Sequence, residues 1–118
     1  MSDEKYKVEI TDFGREGDLK KGYGYSIYLN EEGHKSFEHI ICIYKFDSHI
    51  LFAEGNKEEN NFPLGIESKN NIEKAEKRAY KYAKHIANEF WTYLGLPKEK
   101  TEIIDKTRTS KSLVEKLE

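Results

Sequence analysis

A chain of 118 residues with 36% apolar side chains, 36% charged side chains and a net charge of −2 is long enough for one core and too short for two domains. Its 8 Tyr, 6 Phe and 1 Trp fall in patterned runs with Ile and Leu, which excludes a disordered chain. No apolar run approaches the roughly 18 residues of a membrane span, so a soluble protein with no membrane partner is expected.

Tyr6, Val8 and Ile10 alternate with Lys7, Glu9 and Thr11, the period of a half-buried strand over residues 5–12. GREGDLKKG (14–22) mixes glycines with charges and reads as a connection. A second strand follows at 22–30, with Tyr23, Tyr25, Ile27 and Leu29 on one face and Gly22, Gly24 and Ser26 on the other. Glu31-Glu32-Gly33 suits a three-residue hairpin loop with Gly at positive φ. That loop would pair Ile27 with Phe37, Tyr25 with His39 and Tyr23 with Ile41.

The third strand, 36–46, is apolar on both faces, with Phe37, Ile41 and Ile43 on one and Ile40, Cys42, Tyr44 and Phe46 on the other. Such a strand is covered twice. A tight turn at Asp47-Ser48 returns the chain as a fourth strand, 49–55, pairing Ile43 with Phe52 and Tyr44 with Leu51. The expected sheet is a four-stranded antiparallel meander.

After an extended FPLGIES, Asn70 and Glu73 resemble a helix-start capping pair, and Gly95-Leu96-Pro97 is a stop signal. The spacing predicts one helix over 71–94, with Ile72, Ala75, Ala79, Tyr82, Ala83, Ile86, Phe90 and Leu94 facing the sheet. Lys74, Lys77, Arg78, Lys81, Lys84 and His85 form the opposite, basic side, and Tyr80, Ala87 and Trp91 lie on a flank. The expected class is therefore α+β, with residues 1–97 as the domain and 98–118 as a C-terminal tail, packed or swapped. Ser112 ahead of Leu113 is positioned to cap a last helical turn.

The motifs that carry chemistry are few. Asp12-Phe13-Gly14 matches the magnesium-binding tripeptide of protein kinases by chance, because the rest of a kinase is missing from a chain this short. GREGDLKKGYGYS has neither phosphate-loop spacing nor a following helix. Cys42 lies in the most apolar run, where burial disfavours a thiolate. As the only cysteine it excludes an internal disulfide; with the charged start MSDEKYKVEI it points to an intracellular, cytoplasmic protein. His34, His39, His49 and His85 lack metal-ligand spacing, and the acids crowd turns and the N-terminus. No metal, cofactor or catalytic set is expected.

Charge is unevenly divided. Residues 1–69 carry 9 basic and 14 acidic groups, and residues 70–118 carry 11 and 8, so the halves attract each other within the fold or across a dimer. The basic helix side is suited to phosphates, and Tyr23, Tyr25, Tyr28 and His39 to stacking on a ligand. Against nucleic acid stands the slightly acidic whole chain. The face thinned by Gly22, Gly24 and Ser26, with Tyr80 and Trp91 on the helix flank, is the expected interface, favouring a homodimer.

These features together read as a non-catalytic binding protein that acts by occupying a target, with another protein or an anionic ligand as partner. Small size and a Lys/Glu/Asn/Ile-rich composition suit an accessory or counter-defence factor of a phage or mobile element. The alternatives are a nucleic-acid-binding regulator and a sponge for a small anionic nucleotide.

Overall fold

The computed structural model describes residues 5–14, 23–55 and 62–108. Six strands form one mixed sheet: β1 (Tyr6–Phe13), β2 (Tyr23–Glu31), β3 (His34–Lys45), β4 (His49–Glu54), β5 (Phe62–Ser68) and β6 (Thr101–Asp105). Helices α1 (Ile72–Asn88) and α2 (Phe90–Leu94) lie between β5 and β6. The strand order is β5-β4-β3-β2-β1-β6. The first five strands pair antiparallel in chain order, and β6 pairs parallel with β1. The class is α+β as expected, but the meander gains a fifth strand and the sheet a sixth, parallel one. FPLGIES is a fifth strand, and part of the expected tail closes the far edge.

The β2–β3 hairpin turns more tightly than its sequence suggests. Glu32 and Gly33 both take positive φ, 54° and 89°, the signature of a two-residue type I′ turn whose twist matches the flanking strands. Asn30 Oδ1 accepts the Gly33 N–H at 2.8 Å. Glu31 therefore opposes His34, and Phe37, at φ 57°, adds a bulge between the Ile27 and Leu29 pairings. Together these displace the expected register by two residues, so Tyr25 meets Ile41 rather than His39. Beyond the bulge the even displacement leaves Ile41 and Ile43 on their expected face, whereas between turn and bulge the shift is one residue, so Ser36 opposes Leu29 and Phe37 is exposed. The β3–β4 hairpin turns at Asp47-Ser48 and pairs Ile43 with Phe52 and Tyr44 with Leu51, as predicted.

The main core lies between the sheet and α1. Val8, Ile10, Tyr23, Tyr25, Ile27, Leu29, Ile41, Ile43, Ile50 and Phe52 meet Ala75, Ala79, Ala83, Ile86, Ala87 and Phe90. The alanine row lets the helix approach closely, because a methyl group keeps its axis near the sheet. Most of the expected stripe is there, with Ala75, Ala79, Ala83, Ile86 and Phe90 buried and Ile72 and Leu94 packed against the core; Ala87, expected on the flank, is buried as well, while Tyr82 stays 37% exposed, its ring 5.9 Å from that of Phe52. The expected single helix breaks at Glu89 (φ −104°, ψ 6°), which starts α2.

Asn71, not Asn70, precedes α1, and it makes no side-chain capping bond, so the expected Asn70/Glu73 pair is not used. The stop is as expected. Gly95 takes φ 67°, and the Leu96 and Gly95 N–H groups reach back to Trp91 O and Thr92 O.

On the other face Cys42, Tyr44 and Ala53 are buried, with Phe13, Ile40 and Leu51 packed against them. The centre of this face is closed within one chain. Gly24 is explained by the sheet itself, since a Cβ there would lie 1.9 Å from Ile41 O on the neighbouring strand.

Candidate binding surface

The basic side of α1 runs above the sheet between two edge strands, and both edges supply it with carboxylates. Glu67 on β5 receives Arg78 in a short ion pair and Lys74 at 3.7 Å, and the Arg78 guanidinium also lies 4.7 Å from the Phe52 ring centroid. Asp105 on β6 faces Lys84 at 3.6 Å. Three of the six predicted basic residues are thus committed to the fold. Lys77, Lys81 and His85, four residues apart, remain exposed and have no ion pair among the described residues.

The tyrosines proposed for stacking are mostly inside. Tyr23, Tyr25 and Tyr28 are buried. The Tyr23 hydroxyl donates to Glu76, the Tyr25 ring meets Tyr80 edge-on at 5.6 Å, and the Tyr28 hydroxyl donates to Glu9 Oε1 at 2.9 Å. They offer no open ring face to a base, which corrects that expectation. The two-residue alternation that placed Tyr23 and Tyr25 beside Ile27 already carried this answer.

His39 is different. It sits on β3 opposite Ile27, half-exposed, with Phe90 edge-on at 5.4 Å and Tyr93 stacked at 6.0 Å with 23° between planes. Its Nδ1 lies 3.1 Å from Glu54 Oε1 on β4. Buried Phe90 anchors α2, and the break at Glu89 sets α2 so that Tyr93 lies over the imidazole. Tyr93 is 59% exposed, and Phe37, two residues before His39, is 63% exposed. Sequence reasoning missed Tyr93, Phe37 and Glu54 as companions of His39. The available signal was Tyr93 itself, a large aromatic beyond the last buried position of the helix.

The predicted interface residues scatter. Gly24 serves strand packing, and the Ser26 hydroxyl donates to Glu38 Oε2 at 2.6 Å while buried. Tyr80 donates to Asp105. Trp91 is half-buried with Lys98 5.9 Å from its ring, and its indole nitrogen has no hydrogen-bond partner among the described residues. Gly22 lies outside the described residues.

The groups with shifted pKa values, Glu9, Tyr28, Cys42 and Asp105, belong to the sheet. Burial pushes the Glu9 carboxyl up, but hydrogen bonds from Asn30, Lys106 and Tyr28 and the Lys106 charge outweigh it, leaving the carboxyl below its ordinary value. Asp105 is likewise pushed up by burial and brought below its ordinary value by Thr107, Tyr80 and Lys84. Burial and the neighbouring Glu9 push the Tyr28 phenol up, and burial pushes the Cys42 thiol up. Each shift moves its group away from neutral pH, opposite to what acid/base catalysis needs. Among the described residues no three His, Cys, Asp or Glu side chains gather to hold a metal, and no helix is long and apolar enough to cross a membrane.

No protein-family model, curated protein or solved structure significantly matches this chain.

Proposed function

We propose that this chain is a non-catalytic binding protein that acts by occupying a macromolecular target, and that His39, Tyr93 and Phe37 make the contact. The observation that carries this reading is the exposure of Tyr93, stacked on a half-exposed histidine, with exposed Phe37 two residues before that histidine in β3, while Tyr23, Tyr25, Tyr28, Tyr44, Phe52 and Phe90 are buried. Rigid aromatic side chains held by a scaffold are the usual anchors of protein interfaces, because they bring large area at little cost in side-chain entropy. Here Phe90 beneath and Glu54 alongside fix the His39 ring before any partner arrives.

The nucleic-acid reading is supported by the exposed row Lys77, Lys81 and His85, and weakened by the commitment of Lys74, Arg78 and Lys84 to Glu67 and Asp105. The nucleotide-sponge reading loses its stacking rings, since Tyr23, Tyr25 and Tyr28 are buried.

Affinity capture from extract with wild type and with His39→Ala/Tyr93→Ala tests the proposal, with thermal melts as a folding control. A macromolecule retained by wild type and lost by the folded double variant is the expected result. Equal retention by both proteins, or native mass spectra showing a co-purified nucleotide as the retained species, would overturn it.

A further inference from the structure

Among the described residues, the contacts that bind β6 to the sheet and to α1 reach backward in the chain. It pairs in parallel with β1 from Tyr6 opposite Thr101 to Ile10 opposite Asp105. Just beyond, the Lys106 N–H donates to Ile10 O at 2.9 Å, and Lys106 Nζ lies 3.0 Å from Glu9 Oε1. The Arg108 N–H donates to Asp12 Oδ2 at 3.1 Å, with Arg108 Nε 3.6 Å from the same oxygen. Asp105 accepts the Tyr80 hydroxyl and faces Lys84, both on α1. The apolar contribution is small: Ile103 is only partly buried against the main core.

The connection to β6 has the opposite character. Gly95 is at positive φ, Pro97 is extended, and residues 97–100 are exposed. The hydrogen bonds from the Lys100 N–H and the Thr101 hydroxyl to Pro97 O are local, and Leu96 is the residue of this stretch that packs against the main core.

We infer that β6 is an exchangeable strand, and that two copies of this chain pair by each laying its β6 along the other's β1. Every anchor named above lies before residue 95, so a second copy presents the same anchors in the same register. Charge is complementary within that register: acids Glu9 and Asp12 on β1 receive the cations Lys106 and Arg108 that follow β6. When β6 leaves, β1 becomes an edge of unpaired backbone groups, and the best-matched strand for it is another β6. Release also strands Glu9, which is 3% exposed, without its cation, so exchange is slow in dilute salt and hastened when salt screens the pairs. The exchange is independent of the binding reading above.

Two variants test it. Deleting Lys98 and Glu99 shortens the connection so that β6 no longer reaches its own β1. Sedimentation should show a doubled mass, with protection of β1 amides kept. A folded monomer would overturn the proposal.

The second variant is Lys7→Cys/Glu102→Cys in a Cys42→Ser background, which places cysteines at facing positions of β1 and β6. It is held at high concentration in about 1 M salt, where the screening length falls to about 3 Å, then diluted into low salt and oxidised. Exchange predicts a disulfide-linked dimer on non-reducing gels. An exclusively intramolecular bond would overturn the proposal even if the deletion variant fails to fold.

Discussion

Replacing Phe90 with alanine removes the side chain that joins the fold to the proposed surface. Phe90 is fully buried, belongs to the main core, and touches His39 edge-on at 5.4 Å and Tyr93 at 6.3 Å. Truncating a buried Phe costs about 3 to 5 kcal/mol through lost transfer energy and the cavity left behind. The upper part of that range is expected, because Phe90 is the one buried residue of α2 and nothing else on that helix can fill the gap. Equilibrium urea unfolding of wild type, Phe90→Ala, His39→Ala and the double variant closes a thermodynamic cycle. The aromatic contact with His39 should appear as a coupling of about 0.5 to 1.5 kcal/mol. Loss of less than about 1 kcal/mol for Phe90→Ala would mean that α2 is not seated on β3 as described, and the His39 surface would fall with it.

Other expectations follow from the same contacts. Glu9 and Asp105 have carboxyl groups below their ordinary values, so their stabilisation is complete above the ordinary carboxyl pKa of about 4 and is lost as pH falls through the lowered values. Glu9→Gln should be less stable than wild type at neutral pH and converge with it in acid; urea midpoints against pH would show this, and parallel curves would refute it. Gly24→Ala should destabilise by about 1 to 3 kcal/mol or more, because its methyl group collides with the Ile41 carbonyl, and an unchanged melt would show that the β2–β3 approach is wrong. Lys77→Gln/Lys81→Gln should leave stability within about 0.5 kcal/mol per site, with titrations against single-stranded DNA and RNA at two salt concentrations unchanged. A weaker affinity and shallower salt slope in that variant would restore the nucleic-acid reading.

What was legible in the sequence is what repeats locally. Alternation along Tyr6 to Ile10 and Tyr23 to Leu29 fixed two strands and their buried faces, and Asp47-Ser48 fixed the β3–β4 register. The β2–β3 register was not legible, because Gly33 fits both a two-residue and a three-residue loop, and neither Glu32 nor Phe37 is a residue whose type announces positive φ. β5 carries Pro63 and Gly65, which hide its period, and β6 is five residues whose pairing partner lies almost a hundred positions away. The basic side of α1 was visible as a pattern. Its neutralisation by Glu67 and Asp105 was not, since both acids arrive from edge strands that had no local signal. For the same reason His39 could be named while Glu54 and Tyr93 could not, as three separate elements converge there.

Hydrogen–deuterium exchange, comparing the free chain with the chain bound to the macromolecule it captures, tests the central claim most directly. Occupation of the His39 surface predicts new protection in residues 36–40 and 89–94, with the outer side of α1 unchanged. Protection centred on residues 77–85, with 36–40 and 89–94 unaffected, would contradict it and place the contact on the lysine row instead.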